Sequence, residues 1–450
     1  MFQNILTKIS SKLNLSPTKK KVAKNVYWAF LGKIVNMAAA LFVGIIVARY
    51  LGPSQYGLMN YVISYVAIFE VISEFGLSNI EIRELSHHPD KKERILGSAF
   101  AIRLVFTISA YILLALSLLA FTQEPFTVKM ILVYGLYMFT KCFTIIRNYF
   151  TSIILNEYVV KSEITRTLLG AAIKIVLLLL HAPLSAFIIA TAFDGVIVAS
   201  GYVYSYNKKV GLLRNWTYNK DEAKYLGKEG FPLLLSSAAI IVYNKIDQVM
   251  IGNMLNHAEV GYYATAEKFL SLILFLPTVL VQTVAPLLVK KYNEDPEGYL
   301  KMRQQFVNVV TWSAALIALV ICLSSYVLIR FTYGVDYLAA VPVLAIMSWK
   351  TVGNALSSSG GQIIILEKKQ KWAVIRNIVG CAVNVGLNLW LIPLWGILGS
   401  AWTSIITIFV SGWLCNLLIP PYRHVFSVQT KAIFMGWKDL TKIKKIIRGV

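Results

Sequence analysis

Residues 48–57 read Ala-Arg-Tyr-Leu-Gly-Pro-Ser-Gln-Tyr-Gly and separate two long apolar stretches. No charged residue occurs in 34–48 or in 58–69. The Gly-Pro pair should end the incoming helix, because proline lacks an amide donor and disfavours a helical residue before it. The stretch therefore predicts a helical hairpin with Arg49 at its bend.

The composition indicates a membrane protein. The 450 residues are 57% hydrophobic and 15% charged, whereas about one quarter of an average soluble protein is charged. The uncharged run 377–422 is longer than the roughly 20 residues that cross a bilayer, so it should cross twice and turn near Pro393. We predict an all-α polytopic membrane protein, since the alternating strands of a β-barrel are absent from the sequence.

The net charge of +22 lies mostly in short basic clusters between apolar stretches. This pattern follows the positive-inside rule and argues against nucleic-acid binding. About twelve transmembrane helices with both termini in the cytoplasm satisfy the rule. The expected order is a cytoplasmic basic tail, a six-helix lobe, a cytoplasmic linker, a second six-helix lobe and a cytoplasmic basic amphipathic tail, at 1–24, 25–206, 207–228, 229–420 and 421–450.

Three local features refine this order. The lysine-bearing start should include an interfacial helix at 2–15. A charged loop is expected at 290–303, between the eighth and ninth helices. The run Ser-Ser-Ser-Gly-Gly at 357–361 contains poor helix formers, so the tenth helix should be broken or unwound there.

The two lobes share an internal repeat. Segment 154–170 returns as 364–380 at an offset of 210, and the motif Met-x-x-Lys that ends at Lys141 returns at Lys350. The opening turn, 51–57, returns at 255–261. Because six helices bring the chain back to the same side, the halves should be parallel in the membrane. Two pseudo-symmetric six-helix lobes around a central cavity would suit an alternating-access transporter.

Residues 48–57 also resemble the amino-terminal signature of polysaccharide repeat-unit flippases of the O-antigen and capsule type. These belong to the multidrug/oligosaccharidyl-lipid/polysaccharide exporter superfamily. Residues 245–264 resemble the start of the family's second half, and 393–401 resemble its last hairpin. The resemblance implies movement of undecaprenyl-pyrophosphate-linked oligosaccharide from the cytoplasmic to the outer leaflet of a bacterial or archaeal cell membrane. It also suggests a polysaccharide polymerase and glycosyltransferases as partners, beside membrane lipids.

Basic residues within the predicted helices are candidate substrate contacts. A charge at bilayer depth is costly, so it should face a cavity or a partner. A cationic, water-filled lumen would attract a pyrophosphate. Lys141 and Lys350 are the strongest candidates for its lining, because they recur at mid-membrane in equivalent helices. The alternative is that each side chain snorkels or pairs with a carboxylate, and Arg49 fits an interfacial anchor best. The full set of candidates is Lys141, Lys350, Arg103, Lys33, Lys174, Lys245, Lys268 and Arg49.

Carboxylates within the predicted helices are candidates for coupling transport to a proton or sodium gradient. These residues are Asp247, Glu267, Asp194 and Glu74. Local pairs of Asp247 with Lys245, or of Glu267 with Lys268, would be an alternative. Neighbours one or two positions apart do not face each other on a helix, which weakens that alternative.

No enzyme motif accompanies these charges. The sequence lacks the phosphate-binding loop G-x-x-x-x-G-K-[ST] and the zinc motif H-E-x-x-H, so we expect no cofactor, no metal and no catalytic residues. Two other functions stay open, an ion-coupled drug exporter of the same superfamily and a membrane-embedded glycan polymerase or transferase. The mostly basic interior and the short outer loops favour the flippase.

Overall fold

The computed structural model describes residues 17–120 and 124–442. Within these ranges the chain is helical and contains no strand, which confirms the predicted all-α class. The expected interfacial helix at 2–15 and the last basic residues, 443–450, lie outside the described residues.

Contacts between Cα atoms group the helices into two units. Unit 1 comprises the described residues up to Tyr50 and Tyr65–Ser237, and unit 2 comprises Leu51–Ser64 and the described residues from Ala238 onward. The helices in chain order are α1 (Pro17–Glu74), α2 (Ser78–His87), α3 (Lys92–Ala120), α4 (Pro125–Gly135), α5 (Tyr137–Thr140), α6 (Thr144–Ser152), α7 (Asn156–Leu179), α8 (Leu184–Lys209), α9 (Lys220–Met254), α10 (His257–Ile273), α11 (Phe275–Glu294), α12 (Pro296–Thr332), α13 (Ala340–Met347), α14 (Lys350–Leu366), α15 (Ala373–Trp395), α16 (Ile397–Phe409), α17 (Cys415–Leu418) and α18 (Arg423–Met435).

The predicted break in the opening stretch is confirmed. Gly52 has φ 71° and ψ 171°, which divides α1 into two helical parts. In unit 2 the two copies of the turn motif lie against each other, because a Cβ added at Gly57 would stand 1.6 Å from the carbonyl oxygen of His257. A Cβ at Gly261 would likewise stand 2.2 Å from the carbonyl oxygen of Pro53. Only glycine permits this approach of two backbones.

The repeat-equivalent lysines both lie at an interruption of a helix. Lys141 begins a short 3₁₀ turn between α5 and α6, and Lys350 begins α14 after a turn that follows α13. The predicted break at 357–361 is wrong, because α14 continues through it to Leu366. Tertiary packing overrides the low helix propensity there: a Cβ at Gly360 would lie 2.6 Å from the Gln429 amide nitrogen on α18.

The structure refines three other expected boundaries. The predicted turn near Pro393 occurs at Gly396, with φ 58°, three residues beyond the proline, which lies inside α15. The expected loop at 290–303 is almost wholly helical, since only Asp295 separates α11 from α12, and its side chain accepts a hydrogen bond from the Gly298 amide. The described part of the tail expected at 421–450 contains α18, whose buried face includes Val425.

The surface has the polarity expected in a bilayer. Large apolar side chains such as Leu119, Leu323 and Phe331 are 84%, 76% and 74% exposed, while many polar side chains are buried. Eight helical segments among the described residues are long and apolar enough to cross a membrane. Other helices carry interior charge or are shorter: α7 contains Glu163 and Lys174, and α10 and α14 have 17 residues each. The chain is a multi-pass membrane protein.

Candidate functional site

Unit 2 contains a buried carboxylate whose hydrogen-bond partners among the described residues are all neutral. Asp247 on α9 is 2% exposed. Its Oδ1 accepts hydrogen bonds from the side-chain amides of Asn384 (3.0 Å) and Asn388 (2.6 Å), both on α15. Its Oδ2 accepts from the hydroxyls of Tyr263 on α10 (2.7 Å) and Ser404 on α16 (2.6 Å). We call these five side chains the Asp247 cluster.

The Asp247 cluster brings oxygen atoms together from four helices. Asn384 and Asn388 lie one helical turn apart, so their side chains share a face of α15. The Oδ1 atom of Asn388 is buried and has no hydrogen-bond partner among the described residues. Such an orphaned buried oxygen is rare and costs free energy unless something binds it. The cluster therefore has unused capacity to coordinate a cation.

Lys350 lies next to the Asp247 cluster without touching its carboxylate. The residue is 8% exposed, and its ammonium donates to the Ser404 hydroxyl at 3.2 Å. Ser404 in turn donates to Asp247, so the hydroxyl stands between the two charges. No ion pair involves Lys350 within the part of the chain that the structure describes.

Glu267, the other acidic candidate of unit 2, is already paired. Its carboxylate contacts the Lys245 ammonium at 3.3 Å and accepts a hydrogen bond from the Gln248 amide. This pair joins α9 to α10. Asp247 is therefore the better candidate for ion coupling.

Two interior lysines of unit 1 form close ion pairs. Lys141 lies 2.6 Å from Glu70 on α1, and Lys174 on α7 lies 2.6 Å from Asp194 on α8. All four side chains are at most 27% exposed. Each pair is neutral, so these lysines add no net positive charge for a substrate in this conformation.

Arg103 is fully buried and has a structural role in this conformation. Its guanidinium donates two hydrogen bonds to Glu81 on α2, at 2.7 and 3.0 Å, and both side chains are 0% exposed. The Asn148 amide donates to the same carboxylate at 2.6 Å. The group joins α2, α3 and α6, and this placement argues against substrate binding by Arg103.

The remaining candidates differ in burial. Lys33 and Arg49 are exposed, and Lys268 and Glu74 are half-buried. Their roles in substrate binding or ion coupling stay predictions.

Sequence reasoning missed most of the neutral members of the Asp247 cluster. Asn384, Asn388 and Ser404 carry no charge, so the search for ionisable residues passed over them. Their signal was the four-residue spacing of two amides in an apolar helix. It also missed Arg376 on α15, whose Nη1 is buried and has no hydrogen-bond partner among the described residues.

Comparisons with known proteins agree with this architecture. The sequence profile of a family described as "Polysaccharide biosynthesis protein" matches residues 22–292, more than half of the chain. The uncharacterized membrane protein MJ1068 of Methanocaldococcus jannaschii is 19% identical over 434 residues, which covers 89% of this chain and 85% of that protein.

Solved structures of transporters share the fold. The lipid II flippase MurJ in an inward closed conformation matches with a TM-score of 0.68 at 14% identity, covering 94% of this chain and 97% of MurJ. A multidrug resistance MATE family transporter in an inward-facing conformation matches with a TM-score of 0.63 at 14% identity, covering 92% and 99%. The chain shares its fold with these two transporters, and the family match over residues 22–292 shows that it belongs to the polysaccharide biosynthesis protein family.

Proposed function

We propose that this protein moves undecaprenyl-pyrophosphate-linked oligosaccharide repeat units from the cytoplasmic to the outer leaflet by alternating access, driven by sodium that binds the Asp247 cluster. The family match to polysaccharide biosynthesis supports the substrate class. The single observation that carries the coupling is a buried carboxylate without an ion pair among the described residues, beside the unused amide oxygen of Asn388.

The donor set of the Asp247 cluster suits a monovalent inorganic cation. The cluster offers one carboxylate together with amide and hydroxyl oxygens, and oxygen groups of this kind coordinate sodium in membrane transporters. An asparagine side chain can present either its oxygen or its nitrogen, so Asn384 and Asn388 can turn from donating to Asp247 to coordinating the ion. A bare proton would leave the Asn388 oxygen unused.

Sodium binding would change the charge available to the substrate. With the cation on Asp247, the Ser404 hydroxyl no longer needs to donate to the carboxylate, and Lys350 faces a neutralised site. The ammonium is then available for a pyrophosphate oxygen. Arg376 is a second cation of unit 2 without an ion pair in the described residues. Sodium entry and headgroup binding would favour each other in this way.

The test uses purified protein in proteoliposomes that contain a fluorescent undecaprenyl-pyrophosphate-linked oligosaccharide. We expect an imposed sodium gradient to accelerate its transfer between leaflets and Asp247→Asn to remove that acceleration. The matched control is Lys174→Gln/Asp194→Asn, which removes a carboxylate from unit 1 and should retain the sodium response. Transfer that ignores sodium in the wild type would contradict the coupling, and export of a cationic dye in place of the lipid would contradict the substrate.

A further inference from the structure

A groove in unit 1 lies between α7 and α8, and its lining includes no residue of the Asp247 cluster. Its cavity has a volume of about 760 Å³, within the range of roughly 300–1,000 Å³ typical of small-ligand sites. The lining residues come from α7 and α8 alone: Tyr158, Lys161, Ser162, Thr165, Leu169, Phe193, Val196, Ile197, Ser200, Gly201, Tyr204, Ser205, Lys208 and Lys209.

The chemistry of the groove changes steadily along its length. One end has three lysines, Lys161, Lys208 and Lys209, where the first residues of α7 meet the last residues of α8. The middle is lined by small hydroxyl side chains and Gly201. The far end is apolar and partly open, with Phe193 49% exposed. A ligand for this groove should be anionic at one end and hydrocarbon at the other.

The lysines are held by aromatic residues and keep a net positive charge at this end. Lys208 donates to the Tyr204 hydroxyl at 3.1 Å, and the Lys209 ammonium lies 5.9 Å from the centroid of the Tyr158 ring. Lys161 contacts Glu157 at 2.7 Å. Among the described residues that line the groove, three carry an ammonium group and none carries a carboxylate.

The length of the groove matches one leaflet. Phe193 and Lys208 are fifteen residues apart on α8, which is about 22 Å at a rise of about 1.5 Å per residue. Half of a bilayer, including its headgroups, is about 20–22 Å thick. The positive-inside rule assigns the lysine end to the cytoplasmic side, where the leaflet carries anionic lipids.

We propose that this groove binds an anionic glycerophospholipid of the cytoplasmic leaflet. Its phosphate lies among Lys161, Lys208 and Lys209, and an acyl chain follows the groove past Ser200 towards Leu169 and Phe193. The bound lipid covers the seam between α7 and α8 and is separate from the transported substrate.

Native mass spectrometry of the full chain, released from bilayers of dioleoyl-phosphatidylglycerol and dioleoyl-phosphatidylcholine, tests the proposal. We expect retained phosphatidylglycerol to exceed phosphatidylcholine by at least tenfold in the wild type. Lys161→Gln/Lys208→Gln/Lys209→Gln should abolish this preference. Ser200→Phe, which fills the groove without changing its charge, should reduce retained phosphatidylglycerol by a similar factor. Equal retention of both lipids by the wild type would overturn the proposal.

Two controls test whether lipid retention depends on the groove. One tests the effect of general surface charge, and the other tests whether residues 2–15 of the chain occupy the groove. Lys224→Gln/Lys228→Gln/Lys301→Gln removes three exposed lysines outside the groove, and an equal loss of preference there would refute a specific site. Full retention by Ser200→Phe would mean that the lipid stays at the surface and would also refute it. Deletion of residues 2–15 should leave retention unchanged, and lipid binding that occurs only after the deletion would assign the groove to that segment.

Discussion

Unit 1 and unit 2 balance their interior charges in different ways at equivalent positions. In unit 1, Lys141 lies 2.6 Å from the carboxylate of Glu70. Its equivalent in unit 2, Lys350, donates to the neutral hydroxyl of Ser404 and forms no ion pair among the described residues. Both lysines lie where a helix is interrupted. The two units therefore share this backbone feature but differ in the group that contacts the lysine.

The same contrast holds at the next helix pair. Lys174 and Asp194 form an ion pair in unit 1. The equivalent positions, 210 residues further on, are Asn384 and Ser404, and both contact Asp247. In unit 1 the ammonium of Lys174 thus pairs with the carboxylate of Asp194. In unit 2 neutral side chains donate hydrogen bonds to the carboxylate of Asp247. Under the proposed sodium coupling, the carboxylate of unit 1 has a lysine as its fixed counter-ion, and the carboxylate of unit 2 binds a cation from solution.

Asn384→Lys should convert unit 2 to the arrangement of unit 1 and have the largest effect. The new ammonium would pair with Asp247 and occupy the position that we assign to sodium. We expect sodium binding to fall by at least about a hundredfold and sodium-driven transfer of the lipid-linked oligosaccharide to stop. Radioactive sodium binding to the detergent-purified protein measures the first effect.

Asn384→Gln is the matched control for this change, since it retains a neutral amide on α15. It should keep most of the sodium binding. A lysine variant that folds normally and binds sodium as tightly as the wild type would show that the Asp247 cluster is not the cation site.

Glu81→Ala should have the next largest effect, on folding. It leaves Arg103 with an unpaired charge at 0% exposure, and breaking a buried pair on one side typically costs about 3–5 kcal/mol. The free energy of unfolding in detergent measures the loss. Lys290→Ala, which breaks a pair whose side chains are 69% and 63% exposed, should cost less than about 1 kcal/mol. Equal losses would mean that burial does not distinguish the two pairs.

Lys350→Met should strengthen sodium binding. The ammonium lies one hydroxyl away from Asp247, and its repulsion of a bound cation weakens the site. Removing it should raise sodium affinity by about tenfold, or about 1.4 kcal/mol. Lys141→Met is the control in unit 1 and should leave the affinity unchanged. An unchanged affinity in Lys350→Met, with normal binding in the wild type, would remove Lys350 from the coupling scheme.

The sequence predicted the fold more completely than the site. The uncharged runs and the repeat that relates Lys141 to Lys350 are visible in the sequence alone, so they can be recognised without coordinates. Ion pairs between helices depend on how each helix is rotated and shifted against its neighbour, which the spacing within one helix does not determine. For this reason Lys141 was predicted as a substrate contact, while Glu70 was not predicted as its partner.

The Asp247 cluster shows what a repeat can add to such a prediction. Asp247 was recognised because its charge is conspicuous in an apolar helix. Ser404 could have been predicted from the repeat, because adding the offset of 210 to Asp194 gives position 404. The charged residue in unit 1 thus points to a neutral residue at the equivalent position in unit 2. Nothing comparable identifies Tyr263, because tyrosine is common in membrane helices, and only its hydroxyl contact at 2.7 Å reveals its role.

Glu367 should produce the smallest effect, a dependence of stability on pH. It lies between α14 and α15 and is equivalent to Glu157 in unit 1, which contacts Lys161. Burial opposes the charged form, but His424 and Lys369, whose nitrogens each lie 2.7 Å away, lower the pKa of Glu367 to about 2. A lowered pKa stabilises the fold above the unfolded value of about 4.3 and stops doing so as the pH falls towards 2.

Glu367→Gln should therefore lower the free energy of unfolding by about 1–2 kcal/mol at pH 7, after allowance for solvent screening. The difference from the wild type should shrink as the pH is lowered from about 4.3 to 2, because protonation then removes the same charge from the wild type. Chemical unfolding in detergent across this range measures it. The control, Glu157→Gln, removes the equivalent carboxylate of unit 1, which contacts Lys161 one turn further along the same helix, and should change stability by less than about 1 kcal/mol. If both variants lose the same stability with the same pH dependence, the cluster around Glu367 adds nothing beyond a surface pair.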